Sequence, residues 1–180
     1  MRVIAGVAKG TKLKAPKGLT TRPTADRVKE AVFSMIKESL EFSMVLDLFA
    51  GAGAIGIEAL SRGSDKAVFV EKDKVACRYI EENLKKTSFT GKAEIVKTDV
   101  FSFLKSNQEL KYNLIFADPP YRIEKNLLDK LVILALALLK NDGLLVIEHS
   151  RGQPLNNEIA NIIKTKKYAG TAISIIKKDL

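Results

Sequence analysis

From Met44 onward, short β-prone runs alternate with stretches of helical periodicity, and this alternation restricts the possible folds more than any other feature of the chain. Val45–Phe49, apolar except for Asp47, and then Ala67–Val70, Ala93–Lys97, Asn113–Ala117 and Leu144–Ile147 read as strands. Between them Ile55–Arg62, Lys74–Lys86 and Leu127–Lys140 place apolar residues at helical spacing. Gly63 suits a helix stop and Asn141-Asp142-Gly143 a turn. Strands that are nearly continuously apolar are buried on both faces, which calls for a parallel sheet with helices above and below. The period changes near the end, where Ile162–Tyr168 and Thr171–Lys177 flank Ala169-Gly170 as an antiparallel hairpin. The expected class is α/β: a doubly wound, mostly parallel seven-stranded sheet ending in an antiparallel hairpin.

The first 40 residues follow a different pattern. Val3–Ala5 and Thr11–Leu13 are β-prone, with Gly6 and Gly10 bracketing a turn, and Pro16 and Gly18 break the chain. Thr24 is suited to cap a helix, with Asp26 in its first turn, and Val28, Ala31, Val32, Met35 and Ile36 give that helix one apolar face. The expectation is a small hairpin and helix at 1–40 attached to a main domain at 41–180. Charge separates the two parts as well. Arg2, Lys9, Lys12, Lys14, Lys17, Arg22, Arg27 and Lys29 face only Asp26 and Glu30 in the first 30 residues, which therefore carry +6 of the chain's +9. Such a cluster suits a polyanion, because each neutralised phosphate releases condensed counterions; a lysine-rich solvated terminus is the plainer alternative.

No apolar run is long enough to span a bilayer, and Met1–Ala5 is too short for a signal-peptide core, so a cytoplasmic location with no membrane partner is expected. Cys77 is the single cysteine, which excludes an internal disulfide and a cysteine-based zinc site. It falls in a helical pattern and reads as packing.

Asp47, Glu71, Asp99 and Asp118 each stand at or just beyond the C-terminal end of an expected strand. Ligands of open α/β sheets bind outside those ends, so these carboxylates should share one rim. Between the first strand and its helix, Gly51-Ala52-Gly53-Ala54-Ile55-Gly56 supplies small residues that let backbone approach a ligand, with free N–H groups at the helix start. Glu71 could accept both hydroxyls of a ribose. A nicotinamide-dependent oxidoreductase fits these facts too. Asp47 separates the two: a carboxylate low in the loop can receive a cationic amino group but repels a pyrophosphate. It could instead only brace the loop by accepting backbone amides.

Asp118-Pro119-Pro120-Tyr121 follows the Asn113–Ala117 strand directly. The prolines fix the backbone and remove two N–H donors, leaving carbonyls as acceptors. An exocyclic amino group on a base presents two N–H donors, which the Asp118 carboxylate and the Pro119 carbonyl can accept. Tyr121 offers a flat face for a flipped-out base. Accepting those protons returns electron density to a nitrogen that ring conjugation makes a poor nucleophile.

The segments Leu46-Asp47-Leu48-Phe49-Ala50-Gly51-Ala52-Gly53, Glu71 and Thr98-Asp99-Val100 resemble the Rossmann-like, S-adenosylmethionine-dependent methyltransferases. Asp118-Pro119-Pro120-Tyr121 is similar to the catalytic motif of those that act on amino groups. With Arg2-Val3-Ile4-Ala5-Gly6, Lys9-Gly10-Thr11-Lys12-Leu13 and the stretch from Thr21 to Phe33 added, nearly the whole chain resembles the RsmD family of 16S ribosomal RNA guanine-N2 methyltransferases. The departure is Ala169, which separates Tyr168 from Gly170 in the tail. The resemblance implies that Asp47, Phe49, Gly51 and Gly53 serve the methionine part of the cofactor, that Glu71 takes the ribose, and that Asp99 with the Val100 backbone holds adenine. It implies a ribosomal RNA or small-subunit particle as substrate, and phosphate contacts at Arg2, Lys9, Lys12, Lys14, Arg22 and Arg27. Arg22 and Arg27 could also close over the cofactor or pair with Asp26 or Glu30. No metal is called for. His149, the lone histidine, reads as a packing or hydrogen-bonding residue with a place in the base pocket as the alternative. An adenine-N6 DNA methyltransferase would use the same tetrapeptide, but 180 residues leave no extra target-recognition domain. A non-catalytic RNA-binding protein would not need an intact tetrapeptide and glycine loop.

Overall fold

Seven strands form one sheet: β1 (Met44–Leu48), β2 (Lys66–Glu71), β3 (Ala93–Lys97), β4 (Tyr112–Ala117), β5 (Leu139–Ser150), β6 (Asn161–Lys167) and β7 (Thr171–Lys177), in the order β3-β2-β1-β4-β5-β7-β6. The structure is a computed structural model and describes residues 1–16, 29–30, 32–34, 36, 43–107 and 112–178. β1 to β5 pair in parallel, and β7 runs antiparallel to both β5 and β6. The strand order reverses between β1 and β4, which opens a crevice at their C-terminal ends. This is the expected Rossmann-like, doubly wound sheet with its terminal hairpin.

Successive side chains of each strand enter two separate cores, as the absence of polar alternation requires. On one face Val45, Phe69, Leu114, Phe116 and Val146 meet the helices α1 (Ala54–Ser61) and α2 (Lys74–Thr87). On the other, Leu46, Val68, Ile115, Leu145 and Ile147 meet α3 (Val100–Ser106) and α4 (Lys125–Leu138). Among the described residues no helix is long and apolar enough to cross a membrane. Cys77 is buried in α2, as packing predicts.

Two local expectations need correction. Asn141-Asp142-Gly143 does not end the chain's run into the sheet; it lies inside β5. Tyr112 pairs with Leu139 and Leu114 with Leu144, so the turn residues bulge out of a strand that continues on both sides. Asp142 takes the left-handed conformation (φ 61) and its carboxylate meets the Lys177 ammonium at 2.8 Å. α3 was not expected. It has seven residues, too few to show a period, and its start is fixed by Asp99, whose side chain accepts from the Phe101 and Ser102 amides.

The N-terminal hairpin is present in minimal form: Arg2 and Lys12 make an antiparallel bridge, and Val3 and Leu13 are buried in the same core as α1 and α2. Residues 29–30 and 32–34 are helical. The Thr24 cap, Asp26, Arg22, Arg27, Val28, Ala31 and Met35 lie outside the described residues. The hairpin docks on α1 through Glu58, which is fully buried and accepts from the Ile4 (2.8 Å) and Ala5 (3.0 Å) amides. Arg62 Nε (2.7 Å) and Lys29 Nζ (3.3 Å) complete its shell. Gly6 (φ +82) passes so close to α1 that a Cβ would fall 1.7 Å from the Ser61 carbonyl oxygen.

Candidate active site

A cavity of about 660 Å³ opens at the C-terminal ends of β1, β2, β4 and β5, within the range of small-ligand sites. Asp47, Phe49, Gly51, Glu71 and Asp118 line it, so five of the residues singled out in the sequence converge there. Met1, Pro16, Lys29 and Val32 line it too, which makes the N-terminal segment part of its wall.

The glycine loop is held from both sides. Asp47 is buried and its Oδ2 accepts the Gly56 amide at 2.9 Å, so the bracing alternative is what the structure displays for this oxygen. Burial pushes its pKa up to about 7, against the pull of the Gly56 hydrogen bond; Asp118 and Glu71 add to the rise. Glu71 Oε2 accepts the Gly51 amide and Oε1 the Asp73 amide, both at 2.8 Å. A carboxylate has about four acceptor sites, so both acids keep lone pairs for a ligand. Gly56 has a packing reason: a Cβ there would stand 2.3 Å from the Phe69 ring. Phe49, where β1 enters the loop, takes φ 60, a strained value for an aromatic residue at a cavity wall.

Asp118 stands in the same wall, just past the end of β4, the strand paired with β1. Surrounding protein and then the Glu148 carboxylate push its pKa up to about 7, while solvent contact at the rim works against that push. Pro119 is buried, and the Pro120 carbonyl is taken by the Ile123 amide at 2.9 Å. Tyr121 is 62% exposed and its hydroxyl donates to the Gly170 carbonyl, which ties the tetrapeptide to the β6–β7 turn.

Other sequence-predicted residues lie apart. Asp99 caps α3 and Val100 is buried against the second core; neither is in the cavity wall. Gly53 is the N-cap position of α1 and lies behind the wall. His149 is buried with Nε2 at 3.0 Å from Ser174 Oγ and Nδ1 near the Ser150 and Gln153 carbonyls, a hydrogen-bonding role away from the cavity. Arg2, Lys9 and Lys12 are exposed on the hairpin, and Lys14 makes an exposed ion pair with Glu82 at 2.7 Å.

Two residues escaped the sequence reading. Glu148 lines the cavity at the C-terminal part of β5, where the rule that flagged the other strand-end carboxylates would have found it. Asn83 is fully buried in α2 and donates through Nδ2 to the Lys14 and Ala52 carbonyls at 2.9 Å, joining the hairpin to the glycine loop. No periodicity announces an asparagine of this kind.

The family model described as Conserved hypothetical protein 95 matches residues 1–177. YlbH of Bacillus subtilis is 40% identical over 99% of both chains. Ribosomal RNA small subunit methyltransferase D of Haemophilus influenzae is 35% identical, over 86% of this chain and 81% of that one. Among solved structures, YhhF from Escherichia coli matches with a TM-score of 0.85 at 30% identity, covering 99% and 98% of the two chains. The Thermus thermophilus 16S rRNA N2 G1207 methyltransferase RsmC, solved with AdoMet and guanosine, shares the fold at TM-score 0.74 and 23% identity, over 90% of this chain and 44% of that one.

Proposed function

This chain belongs to the family described as Conserved hypothetical protein 95, the RsmD family, and on that premise we propose that it methylates the N2 amino group of a guanine in 16S ribosomal RNA. The cofactor is S-adenosylmethionine, and the reaction is methylation of ribosomal RNA. The observation that carries the reading is one cavity lined by Asp47, Glu71 and the glycine loop together with Asp118.

The wall fits this cofactor. Gly51 faces open space, since a Cβ there would meet nothing within 4 Å, and Asp47 offers a carboxylate to a cationic amino group. Glu71 would hold the ribose hydroxyls, and Phe49 and Gly51, followed by Gly53 at the start of α1, would shape the methionine end; Asp99 and Val100 stand outside this wall and would meet the adenine where the cofactor extends past it. The bound cofactor supplies an electrophilic methyl group on a sulfonium, so the reading needs no metal. Asp118 and the Pro119 carbonyl accept the amino protons, Pro120 keeps that loop rigid, and Tyr121 presents its ring to the base. The Asp118 carboxylate strengthens its hold as the methylated nitrogen becomes acidic, which favours the transition state over the ground state. The test is chemical mapping of N2-methylguanosine in 16S RNA from cells lacking the protein, followed by restoration with purified protein. Methyl groups returning to adenine, or to DNA alone, would overturn the reading.

The N-terminal segment, 1–40, is the RNA-docking part and 41–180 the catalytic domain, acting in the cytoplasm. Arg2, Lys9, Lys12 and Lys14 meet phosphates, joined by Arg22 and Arg27; the exposed Lys14–Glu82 pair exchanges readily for a phosphate. Replacing Lys9, Lys12 and Lys14 with Ala is expected to weaken RNA binding and flatten its salt dependence, by about 0.7 in log–log slope per lost contact with single strands. Affinity across a salt series measures this; coincident slopes would make the hairpin a solvated cover.

A further inference from the structure

We propose that Glu148 selects guanine, by accepting the N1–H of the base whose amino group Asp118 receives. The inference rests on the reading of Asp118 as the amino-group acceptor. It comes from sheet register. Ala117 of β4 pairs with Ile147 of the parallel strand β5, so Asp118 and Glu148 are the next residues on two adjacent strands and line one cavity. Burial and then the nearby Glu148 carboxylate raise the Asp118 pKa, as the adjacency of the two acids requires.

Glu148 is also held in place. Its Oε1 accepts from Thr171 Oγ1 at 3.0 Å, and the same hydroxyl lies 3.0 Å from the His149 carbonyl oxygen. Thr171 opens β7 immediately after the turn that Tyr121 grips through the Gly170 carbonyl. The antiparallel hairpin at the end of the chain thus positions both the tyrosine of the tetrapeptide and this second carboxylate.

Two neighbouring carboxylates suit one base edge. Guanine presents N1–H and the N2 amino group side by side, both donors. Adenine and cytosine each present an amino group beside a ring nitrogen that carries a lone pair. With the amino group on Asp118, the adjoining carboxylate meets a donor in guanine and a lone pair in the other two. Glu148 is half-buried, so a base stacked in the cavity would cover it; an acceptor covered in this way and facing a lone pair loses its hydrogen bond and is repelled, and sites built around such a bond reject substrates lacking the partner strongly. A flipped-out base is read in this way along its Watson–Crick edge.

The test uses the full-length protein and synthetic RNA carrying either guanosine or 2-aminopurine riboside at the mapped position. 2-Aminopurine keeps the reactive amino group but has a lone pair at N1. Wild type is expected to prefer guanine by about 100-fold or more in kcat/KM. In Glu148→Gln the side-chain amide can donate to that lone pair, so the preference should shrink at least about tenfold, and Glu148→Asp should retain most of it. Adenosylhomocysteine affinity, expected within about twofold of wild type in both variants, reports an intact fold. A base preference in Glu148→Gln equal to that of wild type overturns the proposal, as does equal loss on both bases. Failure of wild type itself to methylate guanine N2 would instead remove the proposed function, and the wild-type reaction alone reveals it.

Discussion

Replacing Asp118 with Ala is expected to lower kcat/KM for methyl transfer by roughly two to four orders of magnitude, the range for losing a positioned proton-accepting or electrostatic group. Adenosylhomocysteine affinity should stay within a few fold, because Glu71 and Asp47, and not Asp118, hold the glycine loop. The wild-type pH profile follows from the same residue. Only the ionised carboxylate accepts both in the ground state and as the nitrogen turns acidic, and the Asp118 pKa is raised to about 7 by its surroundings and then by Glu148. The sign is therefore a rate that climbs with pH below about 7 and levels above it. Asp47 titrates in the same region, raised mainly by burial, and its protonation weakens the hold on a cationic amino group. Cofactor affinity over the same pH range isolates that contribution. An Asp118→Ala enzyme with wild-type turnover in a labelled-methyl transfer assay would remove Asp118 from the mechanism.

Most of what builds the site was legible because it is periodic or punctuated. Apolar runs without polar alternation demanded a two-faced sheet, and the residues that follow such runs had to stand on its rim. That logic placed Asp47, Glu71 and Asp118, and it applies equally to Glu148, which directly follows the expected strand Leu144–Ile147; the bulge at Asn141–Gly143 lies at the other end of that run. Turn chemistry in those residues is genuine, yet Leu139 and Leu144 find partners on the same neighbouring strand, so tertiary pairing carries β5 through it. Asp99 shows the opposite limit. Its place at a strand end fitted the rim, but the seven-residue α3 that it caps was too short to be seen from spacing. The attachment of the hairpin was hidden for a further reason. Glu58 and Asn83 look like polar residues on amphipathic helices, and only the docking of a segment more than 50 residues away in sequence buries them.

Glu58→Ala is expected to cost about 3–5 kcal/mol of stability, the range for breaking a buried ion pair by removing one partner. The side chain serves four donors at once: the Ile4 and Ala5 amides, Arg62 Nε and Lys29 Nζ. Arg62 is near the surface and can turn to water, but Lys29 is only 4% exposed. Among the described residues its one other acceptor is the Arg2 carbonyl oxygen at 2.6 Å, which belongs to the hairpin that Glu58 anchors. Removing the carboxylate therefore strands an ammonium and two amides together and loosens the segment that supplies the remaining acceptor. Because Met1, Pro16, Lys29 and Val32 line the cavity, the loss should reach function through its wall. Denaturant unfolding should show a lower midpoint, and amide exchange should show protection lost first at Val3, Gly10 and Leu13, whose amides close the hairpin. Replacing Glu58 and Lys29 together, with Leu and Met, should recover part of the stability, since no ammonium is then left buried and unpaired and Arg62 can turn to water, while the Ile4 and Ala5 amides stay orphaned. A single variant within about 1 kcal/mol of wild type would mean that the hairpin holds to α1 through Val3, Leu13 and Ser61 alone.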